Sequence, residues 1–182
     1  MEKTFIGFGY KLAETGSAQR VAVWRALKEL GAVSLHHGVN FLPWDEASLG
    51  RMEELKAGIV ASGGRASLMK VVFPFQEDED VLVAEFNRRR NEEYGEFANN
   101  CEQLVWEIDR ECGRGNRTFP ELEEAEVEAA KLKRWLERLE ARDYFIAPGV
   151  KAAREALLAA EERLRSFSLE VFRASNRDGA DD

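Results

Sequence analysis

The sequence is poor in the residues that build metal centres and disulfide frameworks. Its 182 residues include two cysteines and two histidines. His36 and His37 are adjacent, and neighbouring strand residues point to opposite faces, so we do not expect them to chelate one ion together. Cys101 and Cys112 fall in one predicted helix, about 16 Å apart along its axis, which is too far for a disulfide. We therefore expect no metal, no cofactor and a reducing compartment.

Long apolar runs and catalytic signatures are also missing. No stretch approaches the roughly 20 apolar residues that span a bilayer, and no signal-peptide pattern opens the chain. Gly7 and Gly9 resemble a fragment of a phosphate-binding loop, but the rest of its signature is missing, so they do not indicate such a loop. No serine–histidine–acid or cysteine–histidine set has supporting spacing. These absences predict a cytoplasmic protein that is not an enzyme and has no membrane partner.

Charge is abundant but unevenly divided. The formal net charge is −8, and 45% of the residues are hydrophobic, enough for a core. Residues 1–75 carry nine Lys or Arg against seven Asp or Glu, whereas the remainder carries 17 against 27. Since the later part repels a polyanion, DNA or another anion is expected to meet the N-terminal part.

The first 75 residues alternate short β-rich runs with two amphipathic helices. Strands are predicted at 4–10, 32–35, 39–42 and 67–73, with helices at 17–30 and 45–61. Two right-handed crossovers in this order interleave into one antiparallel sheet with both helices on one face, a ferredoxin-like βαββαβ arrangement. A doubly wound sheet would need a helix between Leu35 and Val39, where there is no room.

The rest of the chain is predicted to be helical. A long helix follows the acidic run 76–80 and ends near Cys112, and apolar residues spaced by three and four predict two more helices around Pro148-Gly149. Helices joined by so short a loop form an antiparallel hairpin. The predicted fold class is α+β, with a ferredoxin-like domain at 1–75, a long helix plus helical hairpin at 76–174 and a disordered tail at 175–182.

Three cations on the first helix are candidates for contact with DNA phosphate or another anion. Arg20, Arg25 and Lys28 lie outside its apolar stripe of Val23, Ala26, Leu27 and Leu30. A surface ion pair between Arg25 and Glu29, at i and i+4, is the alternative.

A second candidate site centres on Arg90, which falls on the apolar stripe of the long helix. A buried guanidinium must be paired or bind something, because an unpaired buried charge is very costly. Either its head meets Glu93 or another acid, or it helps to frame an anion pocket between this helix and the sheet. The candidate oxyanion-pocket residues are Arg89, Arg90, Glu93, Tyr94 and His36.

The four tryptophans are predicted to be packing residues. Trp24, Trp44, Trp106 and Trp135 lie on helices or at helix starts, whereas a base-stacking platform would place them on an exposed sheet face.

Three segments resemble one known family. The N-terminal domain of the chromate-resistance protein ChrB is similar to the segment from Arg20 to Pro43, RVAVWRALKELGAVSLHHGVNFLP. In that family the segment begins with an Arg-x-x-x-Trp-Arg-x-Leu helix. The helix is followed by Leu-Gly-Ala and by a Gly-Val hairpin that ends at Leu-Pro. Phe86 to Tyr94, FNRRRNEEY, and Ala141 to Gly149, ARDYFIAPG, match further family segments. The chain has Asn91 where the family commonly has an acid.

The resemblance implies a bacterial cytoplasmic protein with a regulatory role in the response to chromate. Chromate is a tetrahedral dianion, which suits guanidinium hydrogen bonds at the oxyanion-pocket candidates. Full-length members of the family carry a further C-terminal domain. If neither DNA nor an oxyanion is bound, the alternative function is a ferredoxin-like homodimer that acts as a protein-interaction module.

The helix and hairpin also resemble the central part of PaaX-type repressors. That part is similar to the small CRISPR adaptation nuclease, a ferredoxin-like dimer. The nuclease has a metal-binding acid at the end of its first strand, and Phe8-Gly9-Tyr10 stand there in this chain. Nuclease activity is therefore not expected.

Overall fold

The computed structural model describes residues 3–13, 17–36 and 38–178. Four strands and five helices lie within these ranges. In chain order they are β1 Phe5–Lys11, α1 Ser17–Leu30, β2 Val33–His36, β3 Val39–Pro43, α2 Glu46–Ala61, β4 Arg65–Val71, α3 Gln76–Arg114, α4 Phe119–Glu140 and α5 Val150–Asp178.

The chain divides into two compact units. The first comprises Met1–Arg88 with Arg142–Phe145, and the second comprises Arg89–Ala141 with Ile146–Asp182. The predicted domain boundary at residues 75 and 76 falls inside the first unit, because Leu82 and Phe86 of α3 belong to a core cluster with residues of the sheet.

The four strands form one antiparallel sheet in the order β2-β3-β1-β4. Phe5 of β1 lies opposite Pro43 of β3 and Val71 of β4. The predicted four-stranded antiparallel sheet is thus confirmed. Side chains alternate between its two faces, so both faces can carry a core.

One face of the sheet is covered by α1 and α2. The inner side of α1 is the predicted apolar stripe, and it packs with α2 on residues that alternate along β1 and β3. The buried members of this cluster are Ile6, Phe8, Val23, Leu27, Leu30, Ala32, Leu42, Met52 and Ile59. The predicted amphipathic pattern of α1 is confirmed.

The end of α1 is set by Gly31, which directly follows the last residue of the helix. Its φ is +74°, the left-handed conformation that glycine adopts without steric cost. The amide of Ala32 then donates to the carbonyl of Leu27 at 2.9 Å. A Cβ at position 31 would also lie 3.0 Å from Cβ of Arg142. At the start of α2, Asp45 caps the helix by accepting from the Ser48 amide at 2.8 Å.

The other face of the sheet holds a second cluster within the first unit. It contains Phe5, Val33, Phe41, Leu82 and Phe86, with Phe145 packed against it. The Tyr144 hydroxyl donates to the carbonyl of Leu30 at 2.8 Å.

The second unit is a bundle of three helices. Residues 89–114 of α3 pack with α4 and α5 along the apolar stripes that the sequence predicts. The buried core members are Tyr94, Phe97, Cys101, Leu104, Ile108, Leu122, Ala125, Ala129, Leu132, Leu136, Leu139, Ala147, Ala153, Leu157, Ala160, Phe167 and Val171.

The predicted disordered tail from Ser175 is wrong for residues 175–178. Helix α5 continues through Asp178, because no glycine or proline interrupts it after Val150 and its last buried residue, Val171, anchors the preceding turns. Residues 179–182 lie outside the described residues. Within the described ranges, none of the helices combines the length and the apolar character needed to cross a membrane.

An ion pair between half-exposed Lys3 and buried Glu79 lies at the start of α3. Glu79 is 2% exposed and accepts from the backbone amide of Lys3 at 3.0 Å and from its ammonium group. These hydrogen bonds, the one from the ammonium first, lower the pKa of Glu79 from its usual 4.5 to about 2. The folded state therefore favours the ionised carboxylate.

We expect stability to depend on pH through Glu79. Because its pKa is lower in the folded state, the carboxylate stabilises the fold above pH 4.5, and this contribution is lost as the pH falls toward 2. In wild type, the urea concentration at the midpoint of unfolding should decrease between neutral pH and about pH 3. Glu79→Gln should make this decrease smaller. The matched control is Glu77→Gln, which also removes a charge from the first turn of α3 but at an exposed position. Equal pH slopes for wild type and Glu79→Gln would contradict the assignment.

Candidate anion-binding surface

The outer side of α1 presents a ridge of long side chains to solvent. Arg20, Trp24 and Lys28 follow one another at i, i+4 and i+8, so they lie along one line on the helix. Arg25 and Val21 flank this ridge. All five are exposed. We call this set, Arg20, Val21, Trp24, Arg25 and Lys28, the α1 face.

The cations of the α1 face have no acidic partner in the described part of the chain. No described carboxylate lies within the 4.0 Å that defines an ion pair with Arg20, Arg25 or Lys28. The predicted alternative, a pair between Arg25 and Glu29, is therefore not formed. An exposed pair of this kind gains at most a few tenths of a kcal/mol, so solvation of both ends competes with it. The three candidates for phosphate contact thus share one exposed surface.

Trp24 does not pack as the sequence predicted. Its side chain is 57% exposed, and the Lys28 ammonium lies 5.4 Å from the centre of its ring. Trp24 lies outside the apolar stripe of α1, and this position indicates an exposed side chain. A cation over an indole face is attracted to the ring by about 0.5–1 kcal/mol at an exposed site.

Two other tryptophans also differ from the packing prediction. Trp44 and Trp106 are exposed, and each has a cation near its ring: Lys70 at 5.4 Å and Arg110 at 4.9 Å. Trp135 packs against Phe97 with ring centres 5.4 Å apart, so the prediction is confirmed for it.

A shallow surface groove runs along the start of α1. Its lining residues are Ser17, Ala18, Val21, Ala22 and Arg25. Most of these side chains are small, and Arg25 places a guanidinium at the same surface.

Arg90 of α3 is buried, as its place on the apolar stripe predicts. Its residue is 4% exposed, and its Nη1 lies 2.6 Å from Oε2 of Glu93, one turn along the helix. The predicted structural alternative, in which the guanidinium meets Glu93, is confirmed. The Glu93 carboxylate thus offsets part of the cost of burying this charge.

The other oxyanion-pocket candidates lie on two elements. Tyr94 is 1% exposed in the core of the second unit, and Arg89 is half-buried. His36 ends β2 in the first unit, where it pairs with Val39, and its side chain is outside the described part. His37 lies outside the described residues. The oxyanion pocket remains a prediction.

Asn91 connects α3 to the start of α5. Its Oδ1 accepts from the Gly149 amide at 2.8 Å, just before the first residue of α5. A Cβ at Gly149 would lie 2.9 Å from the same oxygen and 3.2 Å from Cβ of Tyr94, so a larger residue there would displace the Asn91 side chain.

The two thiols occupy different surroundings. Cys101 is fully buried, and burial followed by the charge of Glu102 raises its pKa to about 11. Cys112 is half-buried and accepts from Arg163 Nη2 at 3.1 Å. Burial raises the pKa of Cys112 as well. Both thiols are thus protonated at neutral pH, which disfavours thiolate chemistry.

Arg163 is a polar centre that sequence reasoning missed. Its Nε bonds Asp109 at 2.6 Å and its Nη1 bonds Glu170 at 3.3 Å, while Arg117 reaches Glu170 at 3.1 Å. Periodicity could not reveal this cluster, because Asp109 lies 54 residues from Arg163 and Arg117 lies 53 residues from Glu170 along the chain. Across residues 3–13, 17–36 and 38–178, no three His, Cys, Asp or Glu side chains are grouped so as to hold a metal ion.

Together these features define an α+β protein with a helical C-terminal region and a cationic helix face. The family described as Protein ChrB, N-terminal, matches residues 20–178. The chain belongs to this family, as its three segments predicted, and is a protein related to chromate resistance. This is not a known family of enzymes. No curated protein and no solved structure matches the chain.

The pair of Arg90 and Glu93 gives a test of its structural role. Glu93→Gln removes the carboxylate that faces a buried guanidinium. We expect a loss of about 2 kcal/mol in the free energy of unfolding, below the ~3–5 kcal/mol of a fully buried pair because Glu93 keeps some exposure. Urea denaturation measures it.

The matched control is Glu96→Gln, an exposed acid one turn further along α3. Its effect should stay within about 0.5 kcal/mol. Similar, small losses in both variants would show that Glu93 does not stabilise the buried charge.

Proposed function

We propose that this chain is a non-enzymatic regulatory protein of chromate resistance that binds DNA phosphate through the α1 face. The observation that carries the proposal is the cluster of Arg20, Arg25 and Lys28 on one exposed helix side, without an acidic partner among the described residues. Phosphate contacts from such side chains supply affinity that is independent of sequence. The proposed setting is the cytoplasm.

The charge distribution supports this assignment. Residues 1–75 carry a small cationic surplus, while residues 76–182 carry a surplus of acids. A polyanion is therefore drawn to the N-terminal part and repelled by the remainder, which favours one orientation of approach.

We also propose a ferredoxin-like fold for the first unit. The order β1-α1-β2-β3-α2-β4, the antiparallel strands and the shared apolar cluster of α1 and α2 support it. In this arrangement α1 lies on a sheet, so its inner side is covered and its outer side faces solvent.

The oxyanion function is less well supported than DNA binding. The Arg90 guanidinium already faces Glu93, and Tyr94 is enclosed in the core of the second unit. An interaction module is the second candidate function, and the exposure of Val21 and Trp24 on the α1 face favours it. Exposed tryptophan beside arginine is common at the centres of protein interfaces.

DNA binding should depend on salt and on the cations of the α1 face. Binding of a labelled duplex, followed by fluorescence anisotropy at low salt, should weaken with a slope of log K against log salt of about −2 to −3, since each phosphate contact contributes about −0.9. The double variant Arg25→Ala, Lys28→Ala should lose most of the affinity and reduce the slope by about two.

Lys151→Ala is the control for net charge, because it removes an exposed cation from α5 in the second unit. It should leave the affinity nearly unchanged. No binding at low salt, combined with reversible dimerisation in sedimentation, would replace the proposal by the interaction module.

A further inference from the structure

We infer that the α1 face binds single-stranded nucleic acid in preference to duplex, with Trp24 stacking on an unpaired base between phosphate contacts from Arg20 and Lys28. This inference rests on the proposed function and specifies the form of nucleic acid that the surface takes. Its starting point is the exposure of Trp24, which separates this helix from one that carries cations alone.

The geometry places an aromatic ring between two cations on one line. Arg20 and Lys28 are each four residues from Trp24, which is about 6 Å along a helix axis. The Lys28 ammonium lies 5.4 Å from the ring centre, so a phosphate bound there would lie beside the indole. A strand following the ridge would thus meet cation, ring and cation in turn.

The ridge is held in place by the residues next to it. Val23 and Leu27, the neighbours of Trp24 on the inner side of α1, are buried in the cluster on the sheet. The helix backbone beneath Trp24 is therefore fixed before any ligand arrives. A ring on a fixed helix has only two side-chain torsions to order, so its entropic cost of binding is small.

The aromatic ring distinguishes single strands from duplex. In a duplex the faces of the bases are stacked on one another, so an indole on the α1 face has no base face on which to stack. An unpaired base has a free face, and stacking on tryptophan does not depend on which base it is. The cations can contact the phosphates of single strands and of duplex alike, whereas Trp24 can stack only on a base of a single strand.

Trp44 provides a natural comparison within the first unit. It is also exposed, and Lys70 lies at the same 5.4 Å from its ring centre. It lies between β3 and α2, not on a helix ridge between two cations. A tryptophan that merely adds apolar surface would therefore behave alike at both positions.

The test compares Trp24→Leu with Trp44→Leu. Each removes an exposed aromatic ring beside one lysine and keeps an apolar side chain. Affinities for an oligothymidine, an oligouridine of equal length and a mixed-sequence duplex are measured by anisotropy at one low salt concentration. Thermal unfolding of each variant confirms that it remains folded.

We expect wild type to bind at least one single strand more tightly than the duplex. Trp24→Leu should weaken single-strand binding about tenfold, the effect of losing one base–aromatic stack, and leave duplex binding nearly unchanged. Trp44→Leu should change neither. The oligothymidine and oligouridine arms show whether the strand is DNA or RNA.

Two results would overturn the inference. One of them leaves the proposed function in place, and the other removes it as well. Salt-dependent duplex binding that is lost in Arg25→Ala, Lys28→Ala but unaffected by Trp24→Leu, with no preference for single strands, leaves the proposed function in place. Absence of binding to any of the three probes at low salt removes the proposed function as well.

Discussion

The burial of one side of α1 against the sheet is the interaction on which the candidate site depends. Val23, Leu27 and Leu30 leave water together by packing on Ile6 and Leu42. Full burial of such side chains contributes about 1.5–3 kcal/mol each, far more than any single contact on the outer side. The inner residues therefore decide which way the helix faces, and the outer cations and Trp24 follow from that orientation.

The apolar stripes of the helices that form the cores could be predicted, because each stripe depends only on the spacing of residues within one helix. The series Leu82, Phe86, Arg90 and Phe97 on α3 is buried throughout, including its one charged member. Periodicity identifies a buried side without knowing what covers it. The same series did not predict that Leu82 and Phe86 pack in the first unit while Phe97 packs in the second, because the division into compact units depends on contacts between distant segments.

The candidate site was predicted less completely than the fold. Arg20, Arg25 and Lys28 were identified from their place outside the stripe, but the pairing of Arg25 with Glu29 could not be decided from spacing, since the competing states differ by a few tenths of a kcal/mol. Trp24 lies outside the same stripe, which indicates an exposed side chain. The prediction that it packs followed instead from the general tendency of tryptophan to be buried. The cluster around Arg163 could not be predicted, because Asp109 and Arg117 approach it only through the tertiary fold.

The bond between Asn91 and Gly149 bears on how the family can vary in sequence. An amide oxygen and a carboxylate oxygen can both accept from the Gly149 amide, so a family member with aspartate at position 91 can keep the same link to the start of α5. A carboxylate there would also complement the positive end of that helix, which the neutral amide does only weakly. Asparagine and aspartate are thus interchangeable as acceptors at this joint. Exchanging one for the other changes the electrostatic field at the start of α5 but keeps the hydrogen bond from the Gly149 amide.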